Sequence, residues 1–263
     1  MDMKKYIMVF VAAALACSCN KEEVNPWYTS STVYARSAEI GEIAMHWQSG
    51  DKVVVFSNRA EAGTVLTLAS AAGIEAEFHG AKVPEGKKYW VGYPSTGVKN
   101  GDVFKWTLPA EYPYSPVALK NMPMTGPFTS FVLTAKMSAL CALIDVKAVG
   151  RESFSKMTLT ADKPIAGVCE GTLADGFIGV TDGGSLSVSQ TDCPAASHYW
   201  FVIPAGEYTL NLSVVKANGR ISVSEPVKVK LNAGEYAVME APAPGNSMDT
   251  GHEGFDQIPV VLK

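Results

Sequence analysis

Downstream of residue 19, short apolar runs rich in β-branched and aromatic residues alternate with Gly, Pro, Asn and Asp, the pattern of strands separated by turns. The first half contains EIAMHW (42–47), KVVVFS (52–57), TVLTLA (64–69), IEAEFH (74–79), KYWVGY (88–93) and VFKWTL (103–108). In IEAEFH the apolar Ile74, Ala76 and Phe78 alternate with Glu75, Glu77 and His79, which predicts a half-buried strand. Trp47-Gln48-Ser49-Gly50-Asp51 predicts a turn, with Gly50 free to take positive φ. Residues 108–127 hold prolines at 109, 113, 116, 123 and 127 and predict a long surface loop leading to a domain boundary. The second half opens on FVLTAKMSALCALIDVKAV (131–149), too long for one strand and expected to break near Met137-Ser138. KMTLTA (156–161), SLSVSQ (185–190) and HYWFVIPAG (198–206) follow. A hairpin is expected where YTLNLSVVK (208–216) meets RISVSE (220–225), with Asn218-Gly219 suited to a type I′ turn. PVKVKL (226–231) and EYAVMEAP (235–242) close the series. Many short strands and no helical periodicity predict an all-β chain of two tandem, immunoglobulin-like β-sandwiches.

The first residues follow another rule. Lys4 and Lys5 precede the apolar run Tyr6–Ala16, which fits a signal-peptide core and falls short of the roughly 20 residues a membrane-spanning helix needs. The run ends in Ala16-Cys17-Ser18-Cys19, which resembles the lipobox of bacterial lipoproteins, where a cysteine thiol takes diacylglycerol and becomes the mature N-terminus. Cys19 is the preferred acyl acceptor and Cys17 the alternative. Cys19-Asn20-Lys21-Glu22-Glu23 resembles the tag that sends some lipoproteins to the outer face of the outer membrane. Two or more acyl chains make such an attachment stable. The competing reading is an ordinary secreted protein with incidental cysteines. The chain accordingly divides into a lipoprotein signal peptide (1–18), a lipidated tether with a candidate pro-strand (19–36), an N-terminal sandwich (37–130), a C-terminal sandwich (131–243) and a tail with a candidate donor or edge strand (244–263).

Composition narrows the function. Of 263 residues, 47% are hydrophobic and 18% charged, with a net charge of −4. That supplies ample core and no signature of disorder, and it excludes the basic footprint of a nucleic-acid partner. Setting Cys17 and Cys19 aside leaves Cys141, Cys169 and Cys193. An odd number in an exported protein leaves at least one thiol free or paired between chains. Cys141, within ALCALIDV, reads as a small core residue.

The lipobox, the WQSGD turn running into KVVVF and the YWVGYP segment (89–94) together resemble the fimbrillin-like family of surface lipoproteins and pilins. ALCALIDVKA (139–148), HYWFVIPAG and LNAGEYAVMEAP (231–242) fall where that family has its second sandwich. The resemblance implies two transthyretin-like sandwiches and a role as a fimbrial stalk, tip or anchor, or in adhesion. Removing one strand from a sandwich exposes an apolar groove flanked by unpaired backbone groups, and a neighbour's strand can fill it. In pilins of the family a trypsin-like protease cuts after an arginine, releasing the N-terminal strand and the lipid. Among Arg36, Arg59, Arg151 and Arg220, only Arg36 lies between Cys19 and the first expected sandwich strand. The expected cut is therefore between Arg36 and Ser37, releasing STVYA (31–35). An uncut tether arginine is the alternative. At the C-terminus Ile258, Val260 and Leu262 share one face of IPVVLK, and Pro259 confines that strand to an edge. It is either a donor strand for a neighbour or a last strand docked on its own domain.

Catalytic motifs are missing from the sequence: no glycine-rich phosphate loop, no G-x-S-x-G, no C-x-x-C. His46, His79, His198 and His252 lie far apart, and packing or surface roles are expected rather than metal ligation. Cys193 and His198 are separated by a proline-led loop instead of forming a nucleophile–base pair. Asp175-Gly176 and Asp182-Gly183-Gly184 have hairpin chemistry and lack calcium-loop spacing. Tyr112 and Tyr114, in the proline-rich stretch, are candidate glycan contacts or simply stiffen the loop. No cofactor, metal or enzymatic activity is expected. The expected function is that of a fimbrial subunit or fimbrillin-like surface lipoprotein in assembly and adhesion, with outer-membrane lipid and other fimbrial subunits, or itself, as partners. The alternative is a monomeric surface lipoprotein that binds a glycan or host protein through sandwich loops.

Overall fold

The computed structural model describes residues 32–83, 85–116, 120–128, 134–148, 153–173, 176–181, 183–241 and 261–262, all of them strand, turn or irregular. The all-β class read from the sequence is the one observed. Among the described residues no helix is long and apolar enough to cross a membrane.

The largest sheet follows the order Thr134–Lys136, Thr32–Arg36, Glu75–Gly80, Ala60–Ala72, Lys52–Ser57, Tyr89–Tyr93, Met124–Phe128, Ser138–Ala139. Its first and last members are separated in the chain by Met137 alone, so the run 134–139 closes the sheet on itself. The break expected near Met137-Ser138 is thus the point where one strand changes partners, from Thr32–Arg36 on one side to Met124–Phe128 on the other. Closure removes free edges. It also forces backbones together: a Cβ on Gly126 would sit 2.6 Å from the Lys136 carbonyl oxygen. Ala60–Ala72 turns the other corner, with a register shift between Leu68 and Ser70 where it passes from Lys52–Ser57 to Glu75–Gly80.

Inside lie Phe56, Leu66, Phe78, Met122 and Met124, all fully buried. Trp47 packs edge-on against Phe78 and Tyr93, and its indole N–H donates to the Ile74 carbonyl at 2.9 Å. The turn behind it closes as the sequence predicts, with Gly50 at φ 90° and the Asp51 N–H bonded to the Gln48 carbonyl.

The second core lies between two further sheets. One runs His198–Pro204, Cys141–Ala148, Tyr236–Ala241, Val261–Leu262. The other runs Glu111–Pro113, Ser187–Cys193, Phe154–Ala161, Gly206–Lys216, with Ile221–Val223 and Val227–Leu231 both paired to Gly206–Lys216. Alternation divides Cys141–Ala148 between the cores: Cys141 and Leu143 face the first, Ala142, Ile144 and Val146 the second. At the expected hairpin Gly219 has φ 80°, while among the described non-glycine residues only Asp192 is positive. Asn218 therefore does not complete a type I′ turn, and the Asn218 Oδ1 instead accepts from the Arg220 N–H.

Residues 108–127 do not form the long surface loop expected from their prolines. Glu111–Pro113 pairs in parallel with Ser187–Cys193, and Met124–Phe128 pairs with Tyr89–Tyr93. Pro127 opposes Trp90 in a short strand that Met124 and Phe128 anchor to the core, so burial outweighs the proline signal. The hairpin chemistry read at Asp175-Gly176 falls between Gly167–Thr172 and Gly176–Val180, which pair antiparallel and join Val103–Leu108 and Val98–Asn100 in a four-stranded sheet. The ladders thus cross residue 131 both ways: the later hairpin adds Cys169 and Leu173 to the first core, and Glu111–Pro113 extends the second sandwich. Asp175 and Asp182 lie outside the described residues.

Candidate functional site

The element with the clearest capacity for exchange is Thr32–Arg36. Its sequence, TVYAR, alternates, and the structure follows: Val33 and Ala35 are buried in the first core, while Tyr34 and Arg36 face outward. The strand pairs antiparallel with Glu75–Gly80 and parallel with Thr134–Lys136, filling a slot between them. Filling the slot with Val33 contributes about 1.5–3 kcal/mol and each ladder hydrogen bond about 1 kcal/mol before ordering costs.

Outside, Glu77 is a hub. It lies 2.7 Å from His79 Nε2 and accepts from the Tyr34 hydroxyl at 3.3 Å and the Ser70 hydroxyl at 3.4 Å. The His79 bond holds the Glu77 carboxyl below its usual range, and the same carboxylate pushes the Tyr34 phenol up. Arg36 bridges Glu39 at 3.1 Å and Glu75 at 3.4 Å, all three well exposed. Such surface pairs add little stability but tie the side chain to the neighbouring strand Glu75–Gly80 and to Glu39.

The Arg36–Ser37 bond is held firmly. The Arg36 carbonyl accepts from the Met137 N–H at 2.9 Å, and the Ser37 N–H donates to the Ile74 carbonyl at 2.9 Å. The Ser37 hydroxyl donates to the Met45 carbonyl at 2.6 Å, and Ser37 is 2% exposed. Proteases take extended, accessible chain, so cutting here requires the strand to leave its slot first. The expected cut site is therefore not an exposed tether: the last five residues of the segment 19–36 are part of the closed sheet.

Other sequence candidates are dispersed. Cys17, Cys19, Ile258 and Val260 lie outside the described residues. Leu262 pairs with Ala237 and Val261 with Val238, on the chain's own second sandwich. Tyr112 and Tyr114 pack against the second core; the Tyr112 hydroxyl donates to the Trp200 carbonyl at 3.3 Å, and the Tyr114 ring meets Tyr199 edge-on. Burial pushes the Tyr112 phenol up to about 12. Cys141, Cys169 and Cys193 are free and buried, and burial pushes Cys169 up to about 12 and Cys193 up to about 11. Such thiols are poor nucleophiles. Among the described residues no three His, Cys, Asp or Glu side chains come together to hold a metal.

Sequence reading missed one polar cluster. Asp145, buried in mid-strand, meets His198 Nδ1 at 2.9 Å, and the His198 ring stacks on Trp200 at 5.2 Å. Burial raises the Asp145 carboxyl, opposed by the His198 bond. The strand pairing that places Trp200 opposite Asp145 is a long-range register that local pattern does not carry.

No protein-family model matches the chain, and no curated protein matches it. Solved structures do share its fold. A candidate cell adhesion protein from Bacteroides ovatus superposes with a TM-score of 0.58 at 11% identity, covering 90% of this chain and 96% of its own. A second, from Bacteroides uniformis, gives 0.55 at 11% identity, covering 89% and 96%. At that identity the likeness is one of fold, and it agrees with the all-β class read from the sequence.

Proposed function

We propose that this chain is a fimbrial subunit or fimbrillin-like surface lipoprotein acting in assembly and adhesion at the outer face of the outer membrane. The observation that carries the reading is a short strand, Thr32–Arg36, seated between two partners in a closed sheet, on a fold shared with candidate adhesion proteins. Acylated Cys19, with Cys17 as the alternative, anchors the chain. Release of Thr32–Arg36, by cleavage between Arg36 and Ser37 after local opening, frees the slot for a neighbour's strand of matching alternation. The C-terminal IPVVLK, with Ile258, Val260 and Leu262 on one face, is the donor candidate. Partners are then other fimbrial subunits or further copies of the chain. Heat-sensitive ladders on mildly heated gels, abolished by deleting residues 257–263 while the monomer stays folded, are the expected result. A single monomer band before and after protease treatment overturns assembly.

A second reading is favoured by the bonding of Arg36–Ser37 and by the pairing of Val261–Leu262 with the chain's own Tyr236–Ala241. With both strands retained, the protein is a lipid-anchored monomer that adheres to a glycan or host protein through loops. Intact acylated Cys19 together with glycan-array binding is the result expected of it.

A further inference from the structure

Gln190 is 1% exposed, in mid-strand of Ser187–Cys193 and opposite Tyr112. Its carboxamide reaches the outer side of His198–Pro204, where the Trp200 carbonyl receives both Gln190 Nε2 and the Tyr112 hydroxyl. The Gln190 amide and the Val202 backbone in turn bond to the Tyr112 hydroxyl, opposing the burial that raises it. Two side chains thereby satisfy the margin of a strand in place of a neighbouring strand. After these bonds are assigned, one atom is left: Gln190 Oε1, buried and without a partner among the described residues. Buried acceptors in folded proteins are bonded, to protein or to ordered solvent. Gln190 lines a hollow together with Tyr112, Ser115, Lys120, Asn121, Trp200 and Val202. The hollow has room for about one water-sized group.

We propose that this hollow is a binding site for a single neutral O–H donor, which bonds to Gln190 Oε1. The Nε2 orientation is fixed by the Trp200 carbonyl, so the free oxygen presents an acceptor only and selects a hydroxyl over an anion. Two sources supply that chemistry: an ordered water, or the hydroxyl of a sugar whose ring stays outside the hollow beside Lys120 and Asn121. The site stands whether or not the chain polymerises. Only the sugar source rests on the adhesive reading.

The test is a crystal structure of the full chain, at a resolution that shows ordered water, grown without sugar and then soaked with methyl galactoside. An oxygen within hydrogen-bond distance of Gln190 Oε1 in both crystals establishes the site with water as its source. Replacement of that oxygen by a sugar hydroxyl, with matching shifts of the Gln190 side-chain amide in a solution NMR titration, establishes the sugar source. Oε1 bonded to a protein donor such as Ser115 Oγ, Lys120 Nζ or Asn121 Nδ2, or the carboxamide turned away from the hollow, overturns the proposal. In Gln190→Met the oxygen is expected to vanish from the hollow with Tyr112 and Trp200 unmoved. Its persistence there overturns the proposal as well.

Discussion

Val33→Ala separates a seated strand from a loose tether. Val33 is 2% exposed and points into the first core. The change removes two methyl groups at about 0.8 kcal/mol each and leaves a small cavity, for a total of about 2 kcal/mol. Because the departure of Thr32–Arg36 breaks only its own two ladders, it is a local opening whose population governs cleavage when reclosing is fast. A 2 kcal/mol loss of strand affinity raises the open population about 30-fold at 1.4 kcal/mol per factor of ten. Trypsin at low concentration, with products identified by mass, reads the rate at Arg36–Ser37. Val33→Ala is expected to be cut there about 30-fold faster than the parent. Tyr34→Phe, which removes only the exposed hydroxyl bonded to Glu77 on the outer side of the same strand, is expected to change the rate less than about threefold, in keeping with surface substitutions. Equal rates for parent and Val33→Ala refute the reasoning, because the bond is then cut from the folded state and the strand does not protect it.

Other consequences follow from particular contacts. Gly126→Ala places a methyl 2.6 Å from the Lys136 carbonyl oxygen and is expected to cost about 1–3 kcal/mol in urea unfolding. Gly179→Ala, with nothing within 4 Å of the added Cβ, is expected to be neutral or to stabilise by up to about 1 kcal/mol. Cys141, Cys169 and Cys193 are buried with raised thiol pKa values, so a thiol reagent at pH 8 is expected to leave all three unmodified until denaturant is added. Asp145 has a raised carboxyl pKa in the fold. A raised acid binds its proton more tightly folded than unfolded, so its contribution to stability improves as pH falls through the folded pKa. The stability of Asp145→Asn relative to the parent is therefore expected to be greatest at neutral pH and to shrink on acidification, read from urea midpoints across that range.

Much of the fold was legible because alternation is local. IEAEFH buries Ala76 and Phe78 and exposes Glu75 and His79 as its pattern requires, and the WQSGD turn needs only Gly50. What local pattern lacks is pairing. Prolines at 113 and 127 suggested a loop, yet Glu111–Pro113 pairs with Ser187–Cys193, and buried Met124 and pairing with Tyr89–Tyr93 make Met124–Phe128 part of the closed sheet. The hairpin Gly167–Val180 carries glycines at 167, 171, 176 and 179 and too few apolar residues to announce strands. Its identity comes from the distant Val103–Leu108 ladder. The candidate site divides the same way. STVYA was visible only as the segment that a cut after Arg36 releases, while the buried, doubly bonded state of Arg36–Ser37 depends on Met137, Ile74 and Met45 from elsewhere in the chain.

The most direct test of the central claim is the N-terminal mass of the protein recovered in two fractions from cells that express it: membrane-bound monomer and detached polymer. An exchangeable N-terminal strand predicts diacylated Cys19 on the monomer and Ser37 as the first residue of every polymerised copy. Diacylated Cys19 on the polymerised copies, with residues 32–36 still attached, contradicts it.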